Sequence, residues 1–380
     1  MMDIRTTFEK KTELLCKGLY LDEKLLKHYK QQGIEINYGR KGGAGPLGGR
    51  YFLFDNNILV NAALWNDPTR TNLVLKEREG EYFKVYDEKN KNSFCKLKLV
   101  NNPQFYNPKY KTTDGIEMKK IALVHGVDCL ASTIYQECMY WACGEACKFC
   151  GIELSLQSGD TIIEKNYHQM VEVIATAKKE GRCNHMTLTS GTEEEISKGA
   201  KRYIEFLKGI KKEYPNLPLH VQIEPLKDLT YLNKLKEAGA DTIGIHIEML
   251  DENIRKIVTP GKSHIPYSLF ESNWIHALEV FGNNQVETYI LTGFGESPDE
   301  LVKDLEKVIS IGVIPFITPV RSIPGRNKLP LTNYDILINT YIRTAKLMKD
   351  YGVNPLKNKA GCVRCGGCSA IKEAYRVITS

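Results

Sequence analysis

The chain has 380 residues, more than one hydrophobic core usually supports, which predicts one large domain with an appendage, or two domains. Hydrophobic residues make up 42% and charged residues 26%, and no run approaches the roughly 18 apolar residues of a membrane span, which argues against a membrane protein. The net charge of +6 comes from dispersed lysines without an aromatic-rich basic stripe, so nothing indicates nucleic-acid binding.

The amino-terminal sequence and the cysteine pattern indicate the cellular compartment of the protein. MMDIRTTFEKK has no apolar stretch behind its charges, so we expect neither a secretory signal nor a transit peptide, and a cytoplasmic location. Six of the 11 cysteines form two tight triplets, which favours metal or cluster ligation over disulfides. The other five are scattered and are expected to be small buried apolar side chains: Cys16, Cys95, Cys129, Cys138 and Cys183.

Residues 1–118 predict a small N-terminal α+β cap. Residues 8–31 have helical spacing, and a glycine-rich segment follows at 39–50. This segment lacks the Lys-Ser/Thr of a phosphate loop, so it is either a lid or a turn-rich connection. Residues 51–64 then read as two β-prone runs around Asp55-Asn56-Asn57, the pattern of a hairpin.

Residues 119–353 predict an α/β domain in which short apolar strands alternate with amphipathic helices. Ser297 and Glu300 form a capping-box pattern at one helix start. Six such units in series imply a parallel sheet with right-handed crossovers, in a partial (β/α)6, TIM-like barrel. The strands are expected at 132–138, 185–192, 219–225, 242–249, 286–293 and 313–320. Residues 354–380 are expected to form a cysteine-rich tail whose segment 354–370 is irregular.

The first cysteine triplet, Cys143, Cys147 and Cys150, follows the first of these strands as C-x3-C-x2-C. Loops at that end of the strands form the active face of a βα fold. Structural zinc needs four protein ligands, so this loop is one ligand short for zinc. A four-iron cluster held by three thiolates has one iron open to an outside ligand, which matches the count.

The loop resembles the C-x3-C-x-aromatic-C motif of the radical S-adenosylmethionine (SAM) enzymes, with Phe149 in the aromatic place. The resemblance covers about residues 120 to 350. It implies that the three thiolates hold a [4Fe-4S] cluster whose open iron is chelated by SAM. It further implies reductive cleavage of SAM to a 5′-deoxyadenosyl radical, which abstracts hydrogen from an unactivated C–H bond.

The same resemblance places SAM contacts at the other strand ends. Backbone contact is expected from the segment Ser190, Gly191 and Thr192, although a turn with Thr192 capping the next helix is an open alternative. Glu224, and His246 with Glu248 on one face, would meet ribose hydroxyls or a cationic substrate, or form surface salt bridges. In YILTGFGE, Gly293 allows close approach to adenine, with Glu296 beyond it.

Within the superfamily, HMTLTSGTEEE and IHIEMLDENIRKIVTPGKSHIPYSL are similar to stretches of lipoyl synthases. The chain departs from them at Thr259, where that family has Arg, and in the shorter spacing of His246 and Glu248. GRKGGAGP, QVETYILTGFG and AGCVRCGGCSA look closest to the biotin-synthase-related family found partly in nitrilase gene clusters.

The tail triplet, Cys362, Cys365 and Cys368, resembles the start of a ferredoxin run without its fourth Cys and Pro. A zinc knuckle would also need a ligand from elsewhere, so an auxiliary iron–sulfur cluster is favoured and zinc stays open. In biotin and lipoyl synthases such a cluster gives up sulfide to the substrate. Ser369 or Ser380 could imitate the serine ligand of lipoyl synthases only weakly.

We therefore expect a radical SAM enzyme that inserts sulfur into an acyl chain, carried by a lipoyl-type protein, or into a small acid. The alternatives are an oxidoreductase or lyase whose tail cluster transfers electrons, and a zinc-stabilised binding module. The enzyme would need a one-electron donor such as ferredoxin or flavodoxin. We expect neither nucleic acid nor a membrane among its partners. Four cations could attract an anionic substrate or be solvated surface charges: Lys41, Arg50, Lys262 and Arg321.

Overall fold

The computed structural model describes residues 2–32, 49–321 and 329–380. Most of the glycine-rich segment, including Lys41, lies outside the described residues. The helices are α1 Ile4–Lys17, α2 Glu23–Gln31, α3 Met118–Ile121, α4 Met139–Ala142, α5 Ile152–Gln157, α6 Tyr167–Lys179, α7 Ala200–Glu213, α8 Thr230–Glu237, α9 Glu252–Val258, α10 Pro260–Ser263, α11 Tyr267–Phe281, α12 Pro298–Ile311, α13 Tyr334–Asp350, α14 Gly361–Cys365 and α15 Ile371–Thr379. The strands are β1 Leu19–Tyr20, β2 Gly49–Leu53, β3 Leu59–Trp65, β4 Leu73–Glu79, β5 Tyr82–Asp87, β6 Asn92–Leu99, β7 Leu123–His125, β8 Cys129–Thr133, β9 His185–Thr189, β10 Leu219–Ile223, β11 Thr242–Ile245, β12 Val286–Thr292 and β13 Ile314–Pro319.

The N-terminal unit is a closed six-stranded barrel in the order β1-β3-β2-β6-β5-β4, with α1 packed on β3. The expected hairpin is the antiparallel pair β2–β3, and its turn places Asn57 at φ 61°. The helical spacing expected over residues 8–31 corresponds to two helices, α1 and α2. Gly18 ends α1 at φ 65°, in a place where a Cβ would lie 2.5 Å from the carbonyl oxygen of Ala63. Only glycine fits there, so the chain breaks into two helices.

The larger unit is a seven-stranded open sheet in the order β13-β12-β11-β10-β9-β8-β7. Strands β8 to β13 are parallel, and β7 pairs antiparallel with β8 at one edge. Helices connect successive parallel strands, as the alternation predicted. This arrangement aligns the carboxyl ends of six strands along one edge of the sheet.

Five of the six expected strands begin within one residue of their predicted starts, and the first does not. It was expected at 132–138, whereas β8 is Cys129–Thr133. All five residues of β8 are buried, so the strand has none of the alternation that marks a half-buried strand. The expected capping box is also wrong, since Ser297 is the N-cap of α12 but its side chain makes no capping hydrogen bond.

The tail packs against the starts of the parallel strands and against α1. The Gly361 N–H donates to Nδ1 of His185 in β9 (3.2 Å), and the Val363 N–H donates to Glu287 in β12 (3.3 Å). Lys11 of α1 forms a buried ion pair with Glu373 of α15 (2.7 Å). The two ends of the described chain therefore meet at the amino-terminal edge of the sheet. Within the described ranges, no helix has the length and apolar character needed to cross a membrane.

Candidate active site in the sheet lumen

The first cysteine triplet lies in the loop between α4 and α5, beyond the carboxyl end of β8. Cys147 is buried, Cys150 is half-buried and Cys143 is exposed. The Cys150 N–H donates to the Cys147 carbonyl (3.1 Å), which holds the C-x2-C half of the loop in a tight turn. The three thiols thus belong to one short loop at the edge where the strand ends collect.

Two glycines let neighbouring segments approach this loop closely. A Cβ on Gly191 would lie 1.8 Å from the Glu137 carbonyl oxygen, and one on Gly261 would lie 2.2 Å from the Tyr140 ring. Backbone hydrogen bonds join the same segments, from Met139 to the Thr192 carbonyl (2.9 Å) among others. The loop is therefore positioned by the segment that follows β9 and by the start of α10.

A cavity of about 190 Å³ lies beside the loop, at the carboxyl ends of the strands. Seven of the nine predicted cofactor contacts line it: Phe149, Ser190, Gly191, Thr192, Glu224, His246 and Glu248. His246 and Glu248 both line this cavity, but β11 ends at Ile245 and Glu248 has φ 59°, so strand alternation does not account for their shared position.

Four buried polar atoms of these residues have no hydrogen-bond partner: Ser190 Oγ, Glu224 Oε1, His246 Nε2 and Glu248 Oε2. Unpaired buried polar atoms are costly unless a ligand or water pairs with them. The residues therefore fit a polar cofactor bound next to a three-thiol cluster loop.

Two carboxylates of the cavity already have one partner each. Lys262 pairs with Oε1 of Glu248 (2.7 Å), and the Tyr140 hydroxyl donates to Oε2 of Glu224 (3.1 Å). Burial raises the pKa of Glu248, although Lys262 opposes the rise. Burial disfavours the charge on Lys262, but Glu248 and Glu224 outweigh it and raise the pKa of Lys262. The cavity therefore contains a buried cation and two carboxylates, and the surface-charge alternative does not describe Lys262.

The two remaining predicted contacts lie outside this cavity. Both oxygens of Glu296 accept backbone N–H groups, from Gly293 (2.7 Å) and Phe294 (2.8 Å), and so close their own turn. Gly293 has φ 113°, and a Cβ there would lie 2.5 Å from Thr332 Oγ1. Contact of Gly293 and Glu296 with adenine stays a prediction. The capping alternative for Thr192 is wrong, since α7 begins at Ala200 with Gly199 as its N-cap.

Gln222 and Tyr289 also line the cavity and were not predicted. The Tyr289 ring stacks on His246 with centroids 4.1 Å apart, and its hydroxyl lies 3.2 Å from Gln222 Nε2. Gln222 lies two residues before Glu224 in the strand direction, so the period-two rule could have identified it. Tyr140, inside the cluster loop, carries no comparable signal in the sequence.

The tail thiols lie on the other side of Gln222 and Tyr289. Gln222 Nε2 is 3.7 Å from Cys362 Sγ, and the hydrogen bond of Tyr289 to Cys362 joins the same sulfur to the cavity wall. All three tail thiols are half-buried.

Tyr51 of the N-terminal barrel lies among these thiols. Its ring packs against Gly367, and burial followed by the charges of Cys368, Cys365, Cys362 and Cys129 raises the pKa of Tyr51 well above its usual value. In residues 2–32, 49–321 and 329–380, no group of three or more His, Cys, Asp or Glu side chains is arranged to hold a single metal ion.

The other cations named from the sequence have protein partners. Arg321 donates to the side chain and carbonyl of Asn61 in the N-terminal barrel, and Arg50 donates to the Val100 carbonyl within that barrel (3.1 Å). Neither lines the cavity beside the first triplet.

The structure thus combines a largely parallel α/β sheet with a three-thiol loop and a polar cavity at the carboxyl ends of its strands. The Radical SAM superfamily model matches residues 140–308, and the chain contains a radical SAM domain there. This confirms the superfamily expected from the cysteine motif.

Curated relatives are distant. The chain is 24% identical over 187 residues to a 5-amino-6-(D-ribitylamino)uracil–L-tyrosine 4-hydroxyphenyl transferase of Trichormus variabilis, covering 44% of this chain and 45% of that protein. It is 24% identical to the apicoplast lipoyl synthase of Plasmodium yoelii yoelii, covering 50% of this chain and 37% of that protein. It is 21% identical to a mitochondrial lipoyl synthase of Arabidopsis thaliana, covering 50% of each. The chain thus spans half or less of these relatives' lengths.

Similar solved structures include a radical SAM methyltransferase from Sphaerobacter thermophilus, with a TM-score of 0.46, 13% identity, and coverage of 75% of this chain and 77% of that one. The FeFe-hydrogenase maturase HydG from Carboxydothermus hydrogenoformans has a TM-score of 0.43, 18% identity, and coverage of 61% and 53%.

Proposed function

We propose that the protein is a radical SAM enzyme whose Cys143, Cys147 and Cys150 hold a [4Fe-4S] cluster with SAM in the adjacent cavity. When bound and reduced by one electron, this pair supplies a 5′-deoxyadenosyl radical for hydrogen abstraction. The observation that carries the proposal is the cavity beside the cysteine loop, with four buried polar atoms left without partners.

The chain's own side chains would bind and orient the cofactor. The free oxygens of Glu224 and Glu248 accept hydrogen bonds, as ribose hydroxyls or an amino group require. Lys262 keeps one oxygen of Glu248 occupied, so the remaining oxygen faces the ligand in a fixed orientation.

For the net reaction we propose sulfur insertion into an unactivated C–H bond of an acyl chain or small acid. Support comes from the tail thiols, which lie behind the cavity wall formed by Gln222 and Tyr289. An auxiliary iron–sulfur cluster at Cys362, Cys365 and Cys368 would be the sulfur source. The proposed partners are a lipoyl-type carrier protein and a ferredoxin or flavodoxin in the cytoplasm, and the lipoyl synthases among the relatives agree with the acyl substrate.

A second candidate is an oxidoreductase or lyase in which the tail cluster transfers electrons. The stacking of His246 on Tyr289 favours this electron-transfer role. Tyr289 also forms a hydrogen bond with Cys362, so it connects the cavity to the tail thiols. In this case the tail cluster would keep its sulfide through many turnovers.

Anaerobic reconstitution tests both candidates. We expect about eight irons and eight sulfides per chain for two four-iron clusters, and release of 5′-deoxyadenosine from SAM under strong reductant. A Cys143→Ala, Cys147→Ala, Cys150→Ala variant should lose SAM cleavage, while Cys95→Ala, which alters a buried cysteine of β6, should retain it.

Zinc without iron, or no SAM cleavage, contradicts the enzyme proposal. Sulfide loss from the tail site during turnover with an octanoyl carrier protein or a small acid supports sulfur insertion. An intact tail cluster after many turnovers supports the second candidate instead.

A further inference from the structure

One of the scattered cysteines, Cys129, lies on the face of the sheet that contains the cavity and contacts the tail. We call this face the lumen. It is the first residue of β8, and its Sγ lies 3.4 Å from Oγ1 of Thr187 in β9. Thr187 alternates with His185, which contacts the tail, and with Thr189, which lines the cavity. Side chains two residues apart in a strand share a face, so Thr187 and its neighbour Cys129 both face the lumen.

The strand register brings Cys129 next to the start of the tail helix α14. Cys129 pairs with His185, and the His185 ring accepts the N–H of Gly361, the residue before Cys362. The β7–β8 turn approaches the triplet from the other side, since a Cβ on Gly126 would lie 3.0 Å from Cys365 Sγ. These contacts place the start of β8, which is Cys129, and the β7–β8 turn next to α14, the helix that carries Cys362 and Cys365.

The scattered cysteines Cys16, Cys95 and Cys183 are not surrounded by the tail triplet in this way. Burial raises the pKa of Cys16, Cys95 and Cys183, and the charges that act on these three thiols come from residues outside the tail triplet. For Cys129, burial is followed by the charge of Cys365 among the causes that raise its pKa. Cys129 is thus a lumen cysteine, and the expectation that it is only a small apolar side chain does not account for its neighbours.

The two serines considered from the sequence are less suitable as ligands. The Ser369 hydroxyl accepts the N–H of Ile371 (3.3 Å) and contacts the Tyr341 hydroxyl (3.4 Å), both within the packing of α15. Ser380 is exposed at the end of α15, where its hydroxyl donates to the Val377 carbonyl.

We propose that Cys129 is the fourth ligand of an iron–sulfur cluster held by Cys362, Cys365 and Cys368. The inference rests on the proposed auxiliary cluster and supplies the ligand that the C-x2-C-x2-C run lacks. A thiolate is the ordinary ligand of such clusters, and four of them leave no iron open. The tail cluster would then be fully ligated, in contrast to the first cluster with its open iron.

The test uses the full chain with the first triplet replaced by alanine, so that only the tail site can take up a cluster. After anaerobic reconstitution of this parent, we expect about four irons per chain and an EPR signal on reduction that imidazole does not change. Adding Cys129→Ala should open one iron, so that imidazole shifts the g-values and a chelator removes iron several-fold faster. Adding Cys95→Ala, which alters an equally buried cysteine, should change neither. Cys129→Ser is a second variant that keeps the side-chain size and should behave like Cys129→Ala. A thermal unfolding midpoint equal to that of the parent identifies the variants that are correctly folded.

The outcomes separate the inference from the function on which it rests. A parent that binds no iron, or one zinc in its place, removes the auxiliary cluster and the inference with it. A parent that binds about four irons, with Cys129 variants that match Cys95→Ala in EPR and chelation rate, overturns the role of Cys129 alone.

Discussion

The buried pair of Glu248 and Lys262 controls the charge of the cavity wall. Their side chains are only 7% and 14% exposed, so removing one partner leaves a charge in a poorly solvated place. We expect Lys262→Met to lower the free energy of unfolding by about 3–5 kcal/mol in urea titrations. Lys201→Met, which breaks an exposed pair with Glu195, should cost less than about 1 kcal/mol. Equal losses in the two variants would contradict the buried pairing.

His185 makes stability depend on pH. Burial, assisted by the charge of Arg364, lowers the pKa of His185 to about 3, compared with about 6.5 for an exposed histidine. The unfolded chain binds a proton near pH 6.5 that the folded chain does not, so this contribution to stability is present above pH 6.5 and is lost as the pH falls towards 3.

Metal-free wild-type protein should therefore lose more unfolding free energy between pH 7 and pH 5 than His185→Asn, whose Oδ1 takes the place of Nδ1 as acceptor of the Gly361 N–H. The limiting slope is about 1.4 kcal/mol per pH unit. Parallel pH profiles of the two proteins in urea titrations would show that His185 does not titrate as described.

At the scale of elements, the cluster loop depends on a glycine in the neighbouring segment. Gly191→Ala would place a methyl group 1.8 Å from the Glu137 carbonyl oxygen, so the loop or the segment after β9 has to move. We expect this variant to lose most of the iron bound at the first triplet, as measured in a chain whose tail cysteines are replaced by alanine. Gly159→Ala is the control, because open space surrounds it and it costs only backbone strain at φ 72°. Normal iron content in Gly191→Ala would show that the loop tolerates the displacement.

Five of the six strands could be predicted because their starts coincide with apolar runs. Six cavity residues followed from positions at strand ends, and Phe149 followed from the cysteine motif. Glu296 did not follow, since its carboxylate caps a local turn, an arrangement that the sequence motif does not distinguish from ligand contact. Gln222 was missed although it shares the spacing of Glu224, and Tyr289 was missed because only the strand ends were considered. Their role depends on the tail folding back below them, which is a contact between distant parts of the chain.

At the scale of the whole molecule, the N-terminal unit supports the tail triplet. Lys11 donates to the Gly366 carbonyl (2.8 Å) and pairs with Glu373, while the Asn61 N–H donates to the Gly367 carbonyl (2.7 Å). Lys11→Met would leave Glu373 buried without its cation, so we expect faster amide hydrogen exchange across α14 and α15. Lys17→Met, which breaks a more exposed pair with Glu13, should leave exchange in α14 and α15 unchanged. Unchanged exchange in both variants would mean that the tail is held by other contacts.

The closed six-stranded barrel could not be predicted, because closure requires β1, only two residues long, to pair with both β3 and β4. So short a strand has no periodicity to detect. The sequence therefore predicted a cap but not that Tyr51 and Asn61 of this barrel would reach the tail.

The packing of both ends of the chain around the tail triplet bears on how the proposed cluster would be loaded. Lys11 of α1 donates to the Gly366 carbonyl and the Asn61 N–H of β3 donates to the Gly367 carbonyl, so two N-terminal segments hold the residues between Cys365 and Cys368. The three thiols themselves are half-buried. We expect a cluster proposed for this site to be loaded most readily while α1 and the β2–β3 hairpin are still apart from the tail, which would couple loading to folding. Replacement of lost sulfide would then require the same two segments to separate.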